Sequence, residues 1–254
     1  MNPASSDRPS SSLARVRIVL VGTSHPGNVG ATARAMKVMG LSRLTLVAPR
    51  HADVLTQPDA IALASGAADV LEEASTVTTL DEALAGCTHA IAMSARDREY
   101  APPLATLREA AVEASRLVVD DADVAFVFGS ERNGLSNDDV LRCQARCRIE
   151  TSTEYGSLNL AQAVQLVAYE CRLAVHAPPA GVVASPVVAT HEEREALIDH
   201  LEAALVAIGY LDAANPKKLM PRLRRLFARA RLEHEEVQWL RGIAKAMLRT
   251  KDVR

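Results

Sequence analysis

The sequence predicts an α/β fold with a largely parallel sheet, followed by a smaller unit that is entirely helical. Short runs of β-branched and aliphatic residues alternate with longer helical stretches from Val16 to about residue 175. Such alternation is typical of strand–helix–strand units, in which helices cover both faces of a parallel sheet. After a stretch containing proline and glycine at 177–181, the pattern becomes helical throughout. We therefore expect two units, at 15–175 and 190–254.

Each predicted strand is a short apolar run bounded by residues that favour turns. The strands are expected at 16–21, 44–48, 89–93, 124–128 and 145–150. Helices are expected between them at about 29–39, 81–85 and 158–175. Gly40 directly follows the first helix, where a glycine in the left-handed conformation commonly ends a helix. Pro49 ends the second strand, because proline cannot donate a hydrogen bond to a neighbouring strand.

Residues that commonly begin helices indicate where the helices of the C-terminal unit start. Thr190 and Glu193 have the spacing of a capping box, in which each side chain binds the other residue's backbone N–H. Asn215 and Pro216 indicate a second start, since asparagine caps helices and proline suits their first position. A third helix is predicted at about 233–249. Residues 176–189 then form the linker between the two units.

Composition restricts the class of protein. The chain has 254 residues, of which 48% are hydrophobic and 24% charged, and its formal net charge is -2. These are the proportions of an ordinary globular protein, which excludes wholesale disorder and fibrous folds. No apolar run approaches the roughly 18 residues of a transmembrane helix. Residues 1–14 are rich in serine and lack the apolar core of a secretory signal, so we expect a disordered tail and a cytoplasmic protein without membrane contact.

The four cysteines are expected to be free thiols in a reducing cytoplasm. They are Cys87, Cys143, Cys147 and Cys171. A zinc site would need two more ligands, and neither a second cysteine pair nor a His-x₃₋₅-His sequence accompanies the pair at 143 and 147. We therefore expect small buried hydrophobic side chains and no metal.

Three polar or glycine-rich segments do not follow the alternation of apolar core residues and polar surface residues that the rest of the chain shows. The first, 22–30, follows a strand and opens a helix, where backbone N–H groups can face an anion. It fits neither the G-x-G-x-x-G dinucleotide pattern nor a phosphate-binding loop. The second, 128–135, lies beyond the end of a buried strand, where open α/β sheets form their ligand crevice. The third, 155–161, precedes the long helix, where Ser157 could cap the helix and Asn159 could face a ligand.

Each segment alone could be an ordinary connection, but in this order and spacing they resemble the SpoU branch of the SPOUT RNA methyltransferases. Asn28, Gly30 and Arg34 are similar to the family's first motif. The sequence Gly-Ser-Glu-Arg-Asn-Gly-Leu at 129–135 is similar to the second motif. Ser-Leu-Asn-Leu-Ala at 157–161 is similar to the third, so the resemblance covers the whole first unit.

Further stretches resemble one group within that family. They lie at 24–30, 33–37 and 223–230. Members of this group methylate the ribose 2'-hydroxyl of the pyrimidine, cytidine or uridine, at position 32 of the tRNA anticodon loop. The resemblance therefore implies a tRNA methyltransferase with tRNA as its partner.

The same resemblance implies a knotted fold and a cofactor site. SpoU enzymes thread the C-terminal part of the sheet into a trefoil knot, here about residues 128–175. In this family S-adenosylmethionine sits bent in the knot and is held largely by backbone groups. The matching positions of this chain are Met93, Ser94, Ala95, Gly129, Ile149, Gly156, Ser157 and Leu158.

The resemblance also implies catalytic residues and a homodimer. The arginine of the first motif, Arg34 here, has the central role in the family, with Asn28 and Ser157 as its catalytic partners. A guanidinium group is essentially never deprotonated in proteins, so we expect Arg34 to bind phosphate or stabilise a developing alkoxide rather than accept the proton. Family members complete the site across a dimer interface, and which protomer supplies each residue stays open.

The helical tail indicates RNA binding independently of the resemblance. From Lys217 to Arg231 there are seven basic residues and no acidic one. Four of these, here called the basic stripe, recur with helical spacing on one face: Lys218, Arg222, Arg225 and Arg229. An apolar seam is predicted beside them: Leu219, Leu223, Leu226 and Ala230. A stripe of one sign in a protein of net charge -2 favours a phosphate track.

Other functions agree less well with the sequence. A nicotinamide-dependent oxidoreductase is disfavoured, because G-x-G-x-x-G is missing and the tail is basic. A non-catalytic RNA-binding member of the family would show damaged motifs, whereas five polar motif residues are intact: Asn28, Arg34, Glu131, Ser157 and Asn159. A 2'-O-methyltransferase for another tRNA site or for ribosomal RNA stays open, although the helical tail favours the anticodon-loop enzyme.

Overall fold

A computed structural model describes residues 12–94, 96, 98–177, 188–214 and 217–250. Its first unit is built on a seven-stranded sheet in which every neighbouring pair is parallel, as expected from the alternating pattern. The strands are β1 (Val16–Val21), β2 (Arg43–Val47), β3 (Ser75–Val77), β4 (Cys87–Met93), β5 (Leu104–Thr106), β6 (Asp123–Phe128) and β7 (Ala145–Arg148). Their spatial order is β3-β2-β1-β6-β4-β7-β5.

Helices cover both faces of this sheet and form the C-terminal unit. In chain order they are α1 (Pro26–Met39), α2 (Pro58–Ala64), α3 (Ala68–Glu72), α4 (Leu80–Leu84), α5 (Leu107–Val119), α6 (Asn137–Leu141), α7 (Leu160–His176), α8 (His191–Ala207), α9 (Leu219–Ala230) and α10 (His234–Thr250). Ile18 and Leu20 of β1 pack in one core cluster, and Val19 packs in a second. Successive side chains of a strand point to opposite faces, which explains why β1 contributes to both.

The five expected strands are confirmed, but two strands and four helices were not predicted. The strands β3 and β5 have only three residues each, too few for a recognisable apolar run. The helix α5 had a readable signal, since Thr106 and Glu109 form a capping box at its start. The expected strand at 145–150 ends earlier, at Arg148, because its pairing with β4 ends at Cys147 and its pairing with β5 ends at Arg148.

Both ends of the first unit differ from the expected boundaries. Residues 1–11 lie outside the described residues, but Leu13 is only 1% exposed and packs in the core with Val16. The expectation of a disordered tail at 1–14 is therefore wrong for Leu13, and 1–11 of it lies outside the described residues. At the other end, His176 still belongs to α7, and Ala189 is buried where Val188 bridges to Glu233. The linker is thus shorter than 176–189.

The C-terminal unit is anchored to the sheet through the start of α8. The capping box of Thr190 and Glu193 is confirmed. His191 Nε2 lies 3.0 Å from Asp81 Oδ1, and Arg194 donates 2.7 Å to the carbonyl of Thr88. Burial lowers the pKa of Arg194 to about 10. The predicted helix start at 215–216 lies outside the described residues.

All four cysteines are free and buried, as expected. Burial raises the pKa of Cys87 to about 11 and that of Cys147 to about 12, so neither forms a thiolate readily. Among the described residues, no group of three or more His, Cys, Asp or Glu side chains could hold a metal ion. No helix in this part of the chain is long and apolar enough to cross a membrane.

Gly30 lets α1 and α2 approach backbone to backbone. A Cβ at this position would lie 2.0 Å from the carbonyl oxygen of Ala60. This oxygen cannot move away, because Ala60 is part of helix α2. We expect Gly30→Ala to lower the free energy of unfolding by about 3 kcal/mol, the upper end of typical overpacking costs. Urea unfolding measures this. Gly66→Ala, where nothing lies within 4 Å, should leave stability nearly unchanged, and equal losses in both variants would contradict the packing argument.

Candidate active site

The three polar segments meet at the carboxyl edge of the sheet. Segment 22–30 follows β1 and opens α1, while segment 128–135 follows β6, which pairs directly with β1. Segment 155–161 leads into α7 through its cap, Asn159, and α7 packs against α1. Parallel strands end at one edge, so residues more than one hundred positions apart become neighbours here.

Glu131 is the centre of this cluster. Its Oε1 accepts hydrogen bonds from Thr23 Oγ1 at 3.0 Å, from Asn28 Nδ2 at 3.0 Å and from the N–H of His25 at 3.4 Å. Its Oε2 accepts from the N–H of Ser24 at 3.1 Å and from Ser24 Oγ at 3.0 Å. Five donors therefore converge on one carboxylate, which joins the second motif to the first.

The same contacts keep Glu131 ionised. Burial by itself raises the pKa of this carboxyl, but the hydrogen bonds from Asn28, Ser24 and Thr23 favour the charged form and bring its pKa to about 2. An ionised carboxylate whose lone pairs are already used is a poor proton acceptor. Glu131 is therefore suited to hold other residues in place rather than to act as a general base.

Asn28 connects all three motifs. Its Nδ2 donates to Glu131, and its Oδ1 accepts a 2.8 Å hydrogen bond from Asn159 Nδ2. The other end of the Asn159 amide caps α7, because Asn159 Oδ1 accepts from the N–H groups of Ala161 and Gln162. The expectation that Ser157 caps this helix is therefore wrong, since the helix starts two residues later than that interpretation requires.

The two roles of Asn159 can be separated by substitution. Asn159→Ala removes the cap and should lower the free energy of unfolding by about 1 kcal/mol. Asn159→Asp keeps an oxygen for the cap, so its stability should match the native protein, but it loses the amide donor to Asn28. Both variants should therefore lose methyl transfer, and only the alanine variant should lose stability in chemical denaturation. Full activity of Asn159→Asp would show that the contact with Asn28 is dispensable.

Arg34 lies apart from this cluster. It is exposed on α1, six residues beyond Asn28, which corresponds to about 9 Å along the helix axis. No hydrogen bond or ion pair joins its guanidinium to any residue that the structure describes. The structure therefore brings together Asn28, Glu131 and Asn159 within one chain, but it does not bring Arg34 to them. Ser157 is also exposed, two residues before the cap.

Four of the seven expected cofactor positions that the structure describes lie at the ends of three neighbouring strands. Met93 ends β4, Gly129 follows β6, and Ile149 follows β7, and β4 pairs with both other strands. The backbone N–H of Ser94 donates 2.9 Å to the carbonyl of Cys147. The remaining positions, Gly156 to Leu158, are exposed in the segment before α7. Ala95 lies outside the described residues.

A cavity of about 760 Å³ opens beside this edge, between the ends of β1 and β6. Sequence reasoning did not single out most of its lining: Val21, Gly22, Arg96, Arg98, Ser130, Asn133, Gly134, Leu135, Ser136, Asn137 and Asp139. The guanidinium of Arg98 donates to the carbonyl of Leu135 at 2.6 Å and to Asn137 Oδ1 at 2.7 Å. Arg96 and Arg98, in the short segment after β4, are the sequence feature from which this positively charged side of the cavity could have been predicted.

All four residues of the basic stripe are exposed, three of them on α9 and Lys218 at its N-cap. The apolar seam beside it is not buried, because Leu226 is 47% exposed and none of the described residues of α9 is fully buried. Phe227 packs against the apolar cluster of the C-terminal unit, and polar contacts hold the helix as well. Arg224 pairs with Glu195 of α8 at 2.5 Å, and Lys218 pairs with Glu99 at 2.5 Å.

A second cavity, of about 280 Å³, separates the stripe from the sheet. Arg225 and Arg229 of the stripe line it from one side, and Arg98 and Arg146 line it from the other. The remaining lining comes from 101–104, which carries no charge. Four arginines line this cavity, and none of its described lining residues is acidic, so the site is suited to an anion. Arg98 and Arg146 were missed in the sequence because they lie far from the stripe along the chain.

Comparison with known proteins agrees with this arrangement of motifs. The model of the SpoU rRNA Methylase family matches residues 15–169, and that of the tRNA methyltransferase TrmJ C-terminal domain matches residues 192–254. The tRNA (cytidine/uridine/adenosine-2'-O-)-methyltransferase TrmJ of Pseudomonas aeruginosa is 45% identical over 91% of this chain and 93% of its own. The chain belongs to the TrmJ branch of the SpoU methylase family. The resemblance inferred from the three motifs is thereby confirmed.

Further relatives support the TrmJ assignment. The tRNA (cytidine/uridine-2'-O-)-methyltransferase TrmJ of Klebsiella pneumoniae is 48% identical over 91% of this chain and 95% of its own. The crystal structure of TrmJ from Z. mobilis ZM4 is similar, with a TM-score of 0.78 and 36% identity over 91% of this chain and 98% of that one. A probable methyltransferase from Bordetella pertussis covers 65% of this chain and 99% of its own, with a TM-score of 0.61 and 49% identity.

Proposed function

We propose that this TrmJ-family protein transfers a methyl group from S-adenosylmethionine to the ribose 2'-hydroxyl of the pyrimidine at position 32 of the tRNA anticodon loop. One observation carries the proposal. The three family motifs form one hydrogen-bonded cluster, in which Asn28 is held between Glu131 and Asn159. The named activities of the Pseudomonas and Klebsiella relatives support the choice of tRNA and of the 2'-oxygen.

The residues at the strand ends fit S-adenosylmethionine. A Cβ at Gly129 would lie 2.0 Å from the backbone of Gly134, so only glycine permits this tight loop beside the proposed site. Met93 and Ile149 supply apolar surface at the same edge, where backbone N–H and C=O groups can recognise the adenine edge. The cofactor would be held by 93–95, Gly129, Ile149 and 156–158, within a knot formed by residues 128–175. When bound, it supplies an activated methyl group on a sulfonium.

The chain's own residues would position the ribose. The 2'-hydroxyl is a weak nucleophile until its oxygen is aligned with the methyl carbon and its proton is removed. Glu131 holds Asn28 through a hydrogen bond that persists at neutral pH, since the pKa of this carboxyl is about 2. The guanidinium of Arg34 would bind the adjacent phosphate and stabilise the developing alkoxide. Ser157 would lie near the reacting hydroxyl at the opening of the site.

The tRNA body would lie across both units. The basic stripe supplies four cations, and the second cavity places Arg98 and Arg146 opposite Arg225 and Arg229. Phosphate contacts of this kind bind without reading the sequence and weaken with added salt. Aromatic residues make up only 3% of the chain, so backbone charge and shape should outweigh base stacking.

A homodimer would complete the site. Leu166, Tyr169 and Leu173 form an apolar stripe on α7, and each is at least 39% exposed. This helix packs beside α1, which presents Arg34 to solvent without a contact to the cluster in its own chain. A second copy seated on this face would cover the stripe and bring its partner's site to Arg34.

The test is a methyl-transfer assay with purified protein, labelled S-adenosylmethionine and unmodified tRNA, followed by mapping of alkali-resistant linkages. A 2'-O-methyl group at position 32 is the expected result. Label at another ribose, or on ribosomal RNA, would keep the enzyme class and overturn the site. Binding of tRNA without transfer would favour a non-catalytic RNA-binding protein instead.

A further inference from the structure

The loop after β4 contacts the basic stripe directly. Glu99 Oε1 lies 2.5 Å from Lys218 Nζ. The ring of Tyr100 lies under two cations, with Lys218 Nζ 5.4 Å and the Arg222 guanidinium 5.5 Å from its centroid. Half of the stripe is therefore already held by two neighbouring residues of the first unit.

The same loop reaches the second motif. Arg98, directly before Glu99, donates hydrogen bonds to the carbonyl of Leu135 and to Asn137 Oδ1. Arg98 also lines both cavities, and Ala101 lines the one that faces the stripe. A continuous chain of contacts thus runs from α9 through residues 98–100 to the segment that follows β6.

The backbone conformation at Tyr100 supports a functional role for this loop. Tyr100 has φ of 62°, in the left-handed region that residues with a side chain rarely adopt. Such a conformation persists only where surrounding contacts hold it, and it is concentrated at clamps and switch regions. Here the holding contacts are those of Tyr100 and Glu99 with α9.

The two contacts affect the stripe differently. The ring of Tyr100 orients both cations, and its hydroxyl accepts a hydrogen bond from Arg222 at 3.5 Å, so that the remaining N–H groups of Arg222 stay available to bind phosphate. Glu99, in contrast, forms an ion pair with Lys218, and a phosphate must displace this carboxylate before it can bind there. The paired charges favour each other, since the pKa of Glu99 is lowered and that of Lys218 is raised by their hydrogen bond.

We propose that Glu99 and Tyr100 form a clamp that couples phosphate binding on α9 to the loop beside the cofactor site, so that tRNA and cofactor bind interdependently. This inference rests on the proposed function, because it takes tRNA phosphate as the occupant of the stripe. When a phosphate binds Lys218, it displaces the carboxylate of Glu99. The loop then moves with Glu99, and the movement reaches the segment after β6 through the neighbouring Arg98. The coupling is reciprocal, so each ligand changes the affinity for the other by the same factor.

The experiment measures the Kd of unmodified tRNA with and without saturating S-adenosylhomocysteine. In the native protein the two values should differ by about fivefold or more, the lower end of typical coupling. Tyr100→Leu should bind tRNA more weakly and bring the ratio close to one. Tyr100→Phe keeps the ring and loses only the long 3.5 Å hydrogen bond from Arg222, so it should keep most of the native ratio. Tyr210→Leu, at a side chain that is 71% exposed, is the matched control and should also keep it.

A second variant tests the clamp without changing the ring. Glu99→Gln removes the competing anion, so tRNA should bind about two- to fivefold more tightly. Glu202→Gln, at an exposed position of α8, should leave the affinity unchanged. Weaker binding by Glu99→Gln would overturn the role of Glu99 as a competitor.

The outcomes distinguish the clamp from the proposed function. If the two tRNA Kd values of the native protein are equal, or if Tyr100→Leu keeps the native ratio of these Kd values, the clamp is overturned. Methyl transfer to tRNA would still support the proposed function in either case. A native protein that binds no tRNA overturns both. Thermal unfolding of each variant confirms that the compared chains are folded.

Discussion

Arg34→Ala is expected to reduce kcat by about 10³-fold, the loss typical of removing a group that stabilises developing charge. Stability should stay within about 0.5 kcal/mol of the native value, because the exposed guanidinium has no partner among the described residues that its loss would leave unpaired. Affinity for S-adenosylmethionine should be nearly unchanged. Single-turnover methyl transfer, calorimetric cofactor binding and chemical denaturation measure the three quantities.

Two controls sharpen this prediction. Arg34→Lys keeps the charge but loses the planar fork, so it should recover only part of the activity. Arg116→Ala removes an exposed arginine of α5 and should be fully active. Loss of cofactor binding in Arg34→Ala, or turnover at the native rate, would contradict the assigned role.

Glu131→Gln is expected to lower both stability and turnover. The side chain keeps its shape, but each carboxylate oxygen accepts from a main-chain N–H, Ser24 at Oε2 and His25 at Oε1. Whichever way the amide turns, its NH₂ group therefore faces a donor. Leaving such donors unsatisfied should cost about 2 kcal/mol. Displacement of Asn28 should lower kcat by about 10²-fold, the effect of moving a positioned group by roughly 1 Å.

The stability loss should depend on pH. The pKa of Glu131 is about 2, below the ordinary value of 4.5, so the charged form stabilises the fold above pH 4.5. That contribution, about 1–2 kcal/mol after solvent screening of a partly exposed group, is lost as the pH falls from 4.5 towards 2. Denaturation curves of Glu131→Gln and native protein should converge over this range. Glu72→Gln, at an exposed position, should show no such convergence.

Mixing the two variants tests whether the site crosses a dimer interface. If Arg34 of one protomer serves the partner's cluster, a mixed dimer of Arg34→Ala and Glu131→Gln contains one intact site. Activity should then recover to about a quarter of the native value, since half of the dimers are mixed and each holds one such site. No recovery on mixing would place Arg34 and Glu131 in the same protomer's site.

Local pattern was sufficient for the five longer strands and for the long helices other than α5. The run at Val16–Val21 and the helix ending before Gly40 carry strong signals, since burial selects apolar side chains at fixed spacing. The short strands β3 and β5 carry none, because three residues at a sheet edge bury too little to shape the sequence. The choice of Ser157 over Asn159 as the helix cap was wrong for a related reason. Both residue types cap helices, and only the backbone shows where the helix begins.

The sequence by itself determined the fold class, the family and the identity of the motif residues, because these depend on residue types at fixed spacing along the chain. Only the tertiary structure decided which of those residues meet. It made Glu131 the hub of the cluster, left Arg34 outside it, and placed Arg98 and Arg146 opposite the basic stripe. The physical reason is that such contacts join residues tens to more than one hundred positions apart, and packing of the sheet and helices sets their distance.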